Sequence, residues 1–113
     1  MPARNNYLEL PSSDVAASKK FYAAAFGFGF TDFGPDYAAT IGEPTDLGFN
    51  GDKADATAHI LPVFEVDDLE ATLAAVEGAG GIITRPIFAF PGGRRFHFTD
   101  PDGHEIGVWV KEG

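Results

Sequence analysis

The chain has 113 residues, of which 44% are hydrophobic and 22% charged, and it contains eleven Phe and no Cys. This composition excludes a disordered segment and a disulfide-linked scaffold, and a chain of this length can bury roughly two-thirds of its unfolded surface. Eight Lys and Arg against seventeen Asp and Glu give a formal net charge of −9, which repels phosphate backbones, so we predict no nucleic-acid partner. No apolar run suits a membrane span, and residues 1–6 do not resemble a signal peptide, so a cytoplasmic location is expected.

The first half of the chain predicts a strand, a helix and further short strands. Residues 6–11 alternate in polarity and end at a Pro, which is typical of a strand. Asp14 can cap a helix over residues 15–26, whose apolar residues recur at helical spacing until Gly27. Residues 28–50 are rich in Phe, Gly and Thr and are interrupted by Gly-Pro and Glu-Pro pairs. This pattern predicts two or three short strands joined by turns.

The second half repeats this order. Residues 58–66 predict a strand, and Asp67 or Asp68 can cap a helix that the following glycines end. Three strands are then expected, at residues 82–84, 94–99 and 105–110, with a hairpin turn at the Asp-Pro-Asp-Gly sequence between the last two.

The two halves therefore indicate an internal repeat. The capping residues Asp14 and Asp68 are 54 positions apart, close to half the chain. We predict a single α+β domain over residues 1–113, built of two βαβββ modules at about residues 5–51 and 58–111.

Three segments together resemble the glyoxalase, bleomycin-resistance and extradiol-dioxygenase (vicinal oxygen chelate) superfamily. They are the first strand and helix with Phe21-Tyr22, residues 63–69, and residues 98–106 around the Asp-Pro-Asp-Gly turn. The resemblance covers nearly the whole chain. It implies that each βαβββ module curls into a half-barrel, that the two halves line a cleft for a small molecule, and that the protein is a homodimer. Strand edges and apolar surface that a two-fold partner can cover support the dimer physically.

The resemblance also implies where metal ligands would lie. In metal-dependent relatives one ligand, often His, lies seven residues before the capping Asp, where this chain has Tyr7, and the equivalent position of the second half is Leu61. A third ligand, normally Glu, corresponds to Gly107, and some members take a further ligand from the segment equivalent to residues 47–50. Tyr is a poor ligand at neutral pH, and Leu and Gly side chains carry no donor. We therefore predict no metal cofactor at the usual site.

Strand alternation indicates which polar residues share the cleft face with these positions. Residues i and i+2 of a strand face the same side, and the resemblance places His97 towards the pocket. Arg95 shares the face of His97, whereas Arg94 points to the opposite side. The candidate site residues are Tyr7, Glu9, His59, Leu61, Arg95, His97, Glu105, Gly107 and Trp109.

Three interpretations of these polar residues are open. Glu9 and His97 could be catalytic as a general acid and base, because His titrates near neutral pH and burial raises the pKa of a carboxyl. They could instead be structural, with Glu9 paired to Arg95 and His97 bonded to a backbone group or to Tyr7. Glu9, His59, His97 or Glu105 could also hold a displaced divalent metal, since all four carry oxygen or nitrogen donors.

These interpretations lead to three functions. The first is a metal-free protein that binds a small organic molecule, of the antibiotic-sequestering kind, whose negative charge suits cationic ligands. The second is an enzyme, either a glyoxalase-like lyase or isomerase or a dioxygenase-related one, working without metal or with a displaced metal. The third is an interaction module with a vestigial pocket. We favour the first, although the fold alone does not assign a reaction.

Overall fold

The computed structural model describes residues 3–112. Its elements, in chain order, are β1 (Arg4–Pro11), α1 (Val15–Phe26), β2 (Thr31–Asp32), β3 (Tyr37–Ala39), β4 (Asp46–Asn50), β5 (Leu61–Glu65), α2 (Leu69–Gly78), β6 (Ile82–Phe90), β7 (Gly93–Thr99) and β8 (Glu105–Lys111). Contacts divide them into a first module, residues 7–61, and a second module, residues 62–112 with residues 3–6. The predicted α+β class and the duplicated βαβββ order are confirmed. Within the described range, neither helix has the length and apolar content that a membrane crossing requires.

In the first module the strand order is β2-β3-β4-β1, with β1 parallel to β4 and the other pairs antiparallel. Helix α1 spans the predicted residues because its ends are well defined. The side chain of Asp14 accepts a hydrogen bond from the backbone N–H of Ala17 at 3.0 Å, and Gly27 adopts a φ of 75° after the last turn. Val15 and Phe49 pack together with Ala38 in the core of this module.

The second module repeats the same order as β5-β8-β7-β6, again with its first and last strands parallel. Asp68 caps α2 by accepting a hydrogen bond from the backbone N–H of Ala71 at 3.0 Å. The core lies between α2 and one face of the sheet, where Leu69 packs against Phe96 of β7 and Val108 of β8. Because one sheet face is used for this core, residues that alternate with Phe96 and Val108 lie on the other face.

Strand β6 is longer than predicted and contains two irregularities. Its pairing with β7 shifts by one residue between Ile83 and Arg85 and again between Arg85 and Phe88. Each shift inserts one extra residue into β6, which breaks the alternation of faces. As a result Arg85 pairs with His97 and Phe88 pairs with Arg95, so both β6 side chains share the face opposite the core.

Candidate functional site

One face of the second module carries a group of polar and aromatic side chains. Arg95 pairs in register with Trp109, and His97 pairs with Gly107, on the face turned away from α2. Arg94 lies on the other side of the sheet, as alternation predicts, and bonds Glu70 and Glu112. We call this surface the polar-aromatic face, and its members are Arg85, Phe88, Phe90, Arg95, His97, Glu105 and Trp109.

A chain of hydrogen bonds crosses the polar-aromatic face. Arg95 donates from Nε and Nη2 to Nε2 of His97, at 3.1 and 2.9 Å, and Nδ1 of His97 lies 2.9 Å from Oε2 of Glu105. A guanidinium group carries only donors, so Nε2 of His97 must accept. The imidazole proton therefore resides on Nδ1, which donates to Glu105. This direction of the hydrogen bonds, from Arg95 through His97 to Glu105, requires a neutral imidazole.

The electrostatics of His97 agree with this assignment. Its side chain is completely buried, and burial lowers its pKa below the ordinary value of 6.5. The positive charges of Arg95 and Arg85 lower the pKa further, and the hydrogen bond to Glu105 offsets these effects only in part. His97 is consequently neutral at pH 7.

Aromatic rings lie on the same face as the two arginines. The guanidinium carbon of Arg85 lies 4.3 Å from the ring centroid of Phe88, and that of Arg95 lies 5.6 Å from it. The ring of Trp109 packs against Phe90 with centroids 6.0 Å apart. Its indole Nε1 is buried and has no hydrogen-bond partner among residues 3–112. Since a buried indole N–H normally finds an acceptor, this face holds an unused donor.

The first module holds a second polar cluster, formed by Tyr7, Tyr37 and Glu9. The hydroxyl of Tyr37 donates to Oε2 of Glu9 at 2.7 Å, and the hydroxyls of Tyr7 and Tyr37 are 2.5 Å apart. Because Tyr37 has a single proton and gives it to Glu9, Tyr7 must donate to Tyr37. Glu9 is only 2% exposed. Burial raises the pKa of Tyr37, and the neighbouring Glu9 and Tyr7 raise it further, so the phenol keeps its proton.

A glycine makes room for this cluster. A Cβ atom on Gly48 would lie 2.0 Å from the hydroxyl oxygen of Tyr7 and 2.7 Å from that of Tyr37. Gly48 pairs with Glu9 on β1 and with Ala39 on β3. Glycine inside a strand often marks such a close approach, and this feature could have directed attention to Tyr37, which the sequence pattern did not single out.

The predicted site residues fall into these two clusters with some exceptions. His59 is exposed and precedes β5, which begins at Leu61 and not at residue 58, so the alternation that grouped the two does not apply. Leu61 is buried, with 1% of its surface exposed, and Gly107 is buried on β8 opposite His97. The partners of His97 are Arg95 and Glu105, in place of the backbone group or Tyr7 that the structural interpretation expected.

The residues at the usual metal positions do not fit a metal ion. The Tyr7 hydroxyl donates its hydrogen bond to Tyr37, and the side chains of Leu61 and Gly107 carry no atom that could bind a metal ion. In the segment 47–50, the side chain of Asn50 bonds the Asp55 carboxylate and the backbone N–H of Asp52. Across the described part of the chain, no three His, Asp or Glu side chains are grouped as metal ligands would be.

Comparisons with known proteins found a matching family model and related proteins. The sequence model of the Glyoxalase/Bleomycin resistance protein/Dioxygenase superfamily matches residues 4–108. CFP32 of Mycobacterium tuberculosis, named provisionally as a glyoxylase, is 30% identical over 92% of this chain and 44% of its own length. The anthracycline biosynthesis protein DnrV of Streptomyces peucetius is 31% identical over 97% of this chain and 48% of its own length. This chain thus spans about half the length of these relatives.

A solved structure shows the same fold. A glyoxalase/bleomycin resistance protein/dioxygenase superfamily member from Vibrio splendidus superposes with a TM-score of 0.72 at 19% identity, covering 97% of this chain and 98% of that chain.

Proposed function

The chain belongs to the Glyoxalase/Bleomycin resistance protein/Dioxygenase superfamily, and we propose that it binds a small organic molecule on the polar-aromatic face through direct side-chain contacts, without a metal ion. The observation that carries this proposal is the composition of that face. Two guanidinium groups, a neutral imidazole and three aromatic rings share a surface that the core of the second module does not use.

This composition is typical of ligand sites. Small-molecule sites combine apolar and aromatic walls with a few placed polar groups that fix orientation. Here Phe88, Phe90 and Trp109 supply the rings, and the guanidinium groups of Arg85 and Arg95 lie against the ring of Phe88. The three rings favour a planar aromatic molecule. The negative net charge of the chain favours cationic compounds at long range.

Tyr7, Leu61 and Gly107 at the usual ligand positions distinguish this proposal from one that requires a metal ion. A relative named for anthracycline biosynthesis, DnrV, suggests one compound class for a first screen. We include polycyclic aromatic compounds that bear hydroxyl, carbonyl or carboxyl groups, together with cationic glycopeptides.

A thermal-shift screen of chelator-treated protein tests the proposal. A ligand at about 100 times its Kd stabilises the folded state by about 2.7 kcal/mol, which raises the Tm by about 10 °C for a domain of this size. Arg95→Ala should reduce the shift, whereas Arg94→Ala, its sequence neighbour on the other side of the sheet, should not. If no compound stabilises the metal-free protein, or if stabilisation requires an added metal ion, the proposal is wrong.

A second candidate function is acid–base catalysis by the first module. It is favoured by the hydrogen-bonded series Tyr7, Tyr37 and Glu9, in which every proton points towards a buried carboxylate. Tyr7 could take a proton from a substrate C–H beside a carbonyl while its own hydroxyl proton moves to Tyr37 and that of Tyr37 moves to Glu9. The substrate would be left as its enolate, and Glu9 would be left protonated. His97 is unsuited to this role because it is fully buried and both ring nitrogens are engaged.

Deuterium exchange tests the catalytic alternative. Proton NMR in D₂O would follow loss of the C–H signal from a panel of α-hydroxy and α-keto carbonyl compounds. Exchange that the wild-type protein accelerates and Tyr37→Phe does not would support it. Equal rates with the wild type, the variant and buffer would exclude it for those compounds.

A further inference from the structure

We propose that residues 84–88 of β6 form an acid-sensitive cover over His97. The cover, which we call the β6 flap, is closed while the imidazole is neutral and opens as the imidazole takes a proton. Two members of the polar-aromatic face, Arg85 and Phe88, belong to the β6 flap, so the composition of the face depends on pH. The inference goes beyond the proposed function, because opening is measured without a ligand.

The β6 flap is paired less regularly than the rest of its strand. β6 stands at the end of the strand order, where it pairs with β7. Its register shifts on both sides of Arg85, and Pro86 has no N–H to donate. Such shifts disrupt the ladder locally, so this stretch opens at a lower cost than a regular strand. Ile87 packs against the core of the second module, which favours the closed state.

Side chains of the β6 flap lie against the imidazole of His97. The ring of Phe88 packs edge-on to the imidazole, with centroids 5.9 Å apart, and Arg85 pairs with His97 in register. The guanidinium carbon of Arg85 is 4.3 Å from the ring centroid of Phe88, so the two side chains form one layer. Because the imidazole has no exposed surface, the residues that cover it must move before water can protonate it.

The closed arrangement suits one protonation state of His97. Nε2 accepts two N–H groups of Arg95, and Nδ1 donates to Glu105. A proton on Nε2 would point at the Arg95 donors and break both of these bonds. The resulting imidazolium would also face the positive charges of Arg95 and Arg85. Since Arg85 belongs to the β6 flap, opening moves one of these charges away from the ring.

The charged groups that face His97 within the second module come from three strands. They are Arg95 on its own strand, Glu105 on β8 and Arg85 on β6. On β5, beyond β8, the residue level with His97 is Val63, which does not titrate. Burial and the two guanidinium groups lower the pKa of His97 in the closed state, whereas an imidazole in water has its ordinary pKa of about 6.5. A proton therefore binds the open state in preference to the closed one.

This preference gives the size of the effect. The open state takes up more protons than the closed state, so opening increases as the pH falls. With a pKa of about 6.5 in the open state, the open population should rise about tenfold between pH 7.5 and pH 5.5.

Amide hydrogen exchange of the ligand-free, chelator-treated protein measures this population. NMR at pH 7.5 and 5.5, corrected for intrinsic exchange rates, gives the protection of each amide. Protection of the hydrogen-bonded amides in the β6 flap should fall about tenfold in mild acid. The amide of Phe33, which bonds the carbonyl of Tyr37 in the first module, should keep its protection.

Two variants identify the group that titrates. His97→Gln keeps a donor and an acceptor but does not ionise, so its flap amides should show no such change with pH. His104→Gln, which removes an exposed histidine of the same module, should behave as the wild type. Dilute urea distinguishes local from global opening in the wild type alone, because its effect scales with the surface that opening exposes. It should accelerate exchange at the buried Phe96 more than in the β6 flap.

Three results would overturn the inference. They are a change in flap protection of less than about threefold between the two pH values, an equal change in His97→Gln, and flap amides that respond to urea as strongly as Phe96 does. Since no ligand is present, these results leave the proposed function standing. A failed thermal-shift screen would likewise leave the β6 flap in place.

Discussion

Replacing Gly48 with alanine should destabilise the first module by forcing the tyrosine cluster apart. The added Cβ would lie 2.0 Å from the hydroxyl oxygen of Tyr7 and 2.8 Å from its Cζ, distances that carbon and oxygen atoms do not tolerate. Tyr7 must then rotate and give up its hydrogen bond to Tyr37. Overpacking of this kind costs about 1–3 kcal/mol, and the lost bond adds about 1 kcal/mol.

The predicted loss is therefore about 2–4 kcal/mol of unfolding free energy, or a Tm roughly 8–16 °C lower. Urea unfolding and a thermal melt measure it. Gly29→Ala is the matched control, because no atom lies within 4 Å of its added Cβ and its backbone does not require a positive φ. Adding Tyr7→Phe to Gly48→Ala should recover part of the loss, since the nearest clashing atom is gone. A Gly48→Ala variant as stable as Gly29→Ala would refute the described geometry.

The remaining predictions concern the polar-aromatic face and self-association. Burial lowers the pKa of His97 below 6.5 in the folded chain, so the unfolded chain binds more protons in mild acid. The free energy of unfolding should therefore fall as the pH drops from 7.5 to 5.5. An equal fall in His97→Gln would argue against this. Arg95→Ala should weaken binding of a thermal-shift hit about tenfold or more, and equal affinities of Arg95→Ala and Arg94→Ala would contradict the assigned face. Sedimentation velocity at micromolar concentration should show a homodimer. Phe21 and Phe26 support this prediction, because they are 60% and 64% exposed and a second copy of the chain could cover them. A monomer would exclude it.

The repeated fold was predictable from local sequence features. Asp14 and Asp68 each accept the hydrogen bond expected of a helix cap, and the Asp-Pro-Asp-Gly turn closes with Gly103 at a φ of 82°. These features depend on a few neighbouring residues, so they can be recognised without knowledge of the tertiary structure.

The composition of the polar-aromatic face was predictable only in part. Regular alternation on β7 and β8 correctly groups Arg95 and His97 with Trp109. It fails on β6, where two register shifts bring Arg85 and Phe88 to one face although three positions separate them. A bulge depends on how two strands pair, which the sequence of one strand does not reveal.

The tyrosine cluster was missed for a different reason. Tyr37 begins a strand of only three residues, which is too short to show an alternating pattern. Its contact with Tyr7 and Glu9 depends on strand pairing across residues distant in the sequence. Gly48 is the local feature that accompanies this contact, but a single glycine in a strand has several other causes.

The most direct test of binding on the polar-aromatic face is a ¹H–¹⁵N NMR spectrum of chelator-treated protein with and without the strongest thermal-shift ligand. The chain has one tryptophan and therefore one indole N–H resonance. We predict that this resonance and the Nε–H of Arg95 shift on binding, while the amide resonances of α2, on the opposite side of the sheet, remain in place. A saturating ligand that leaves the indole resonance unchanged and shifts residues elsewhere would contradict the proposal.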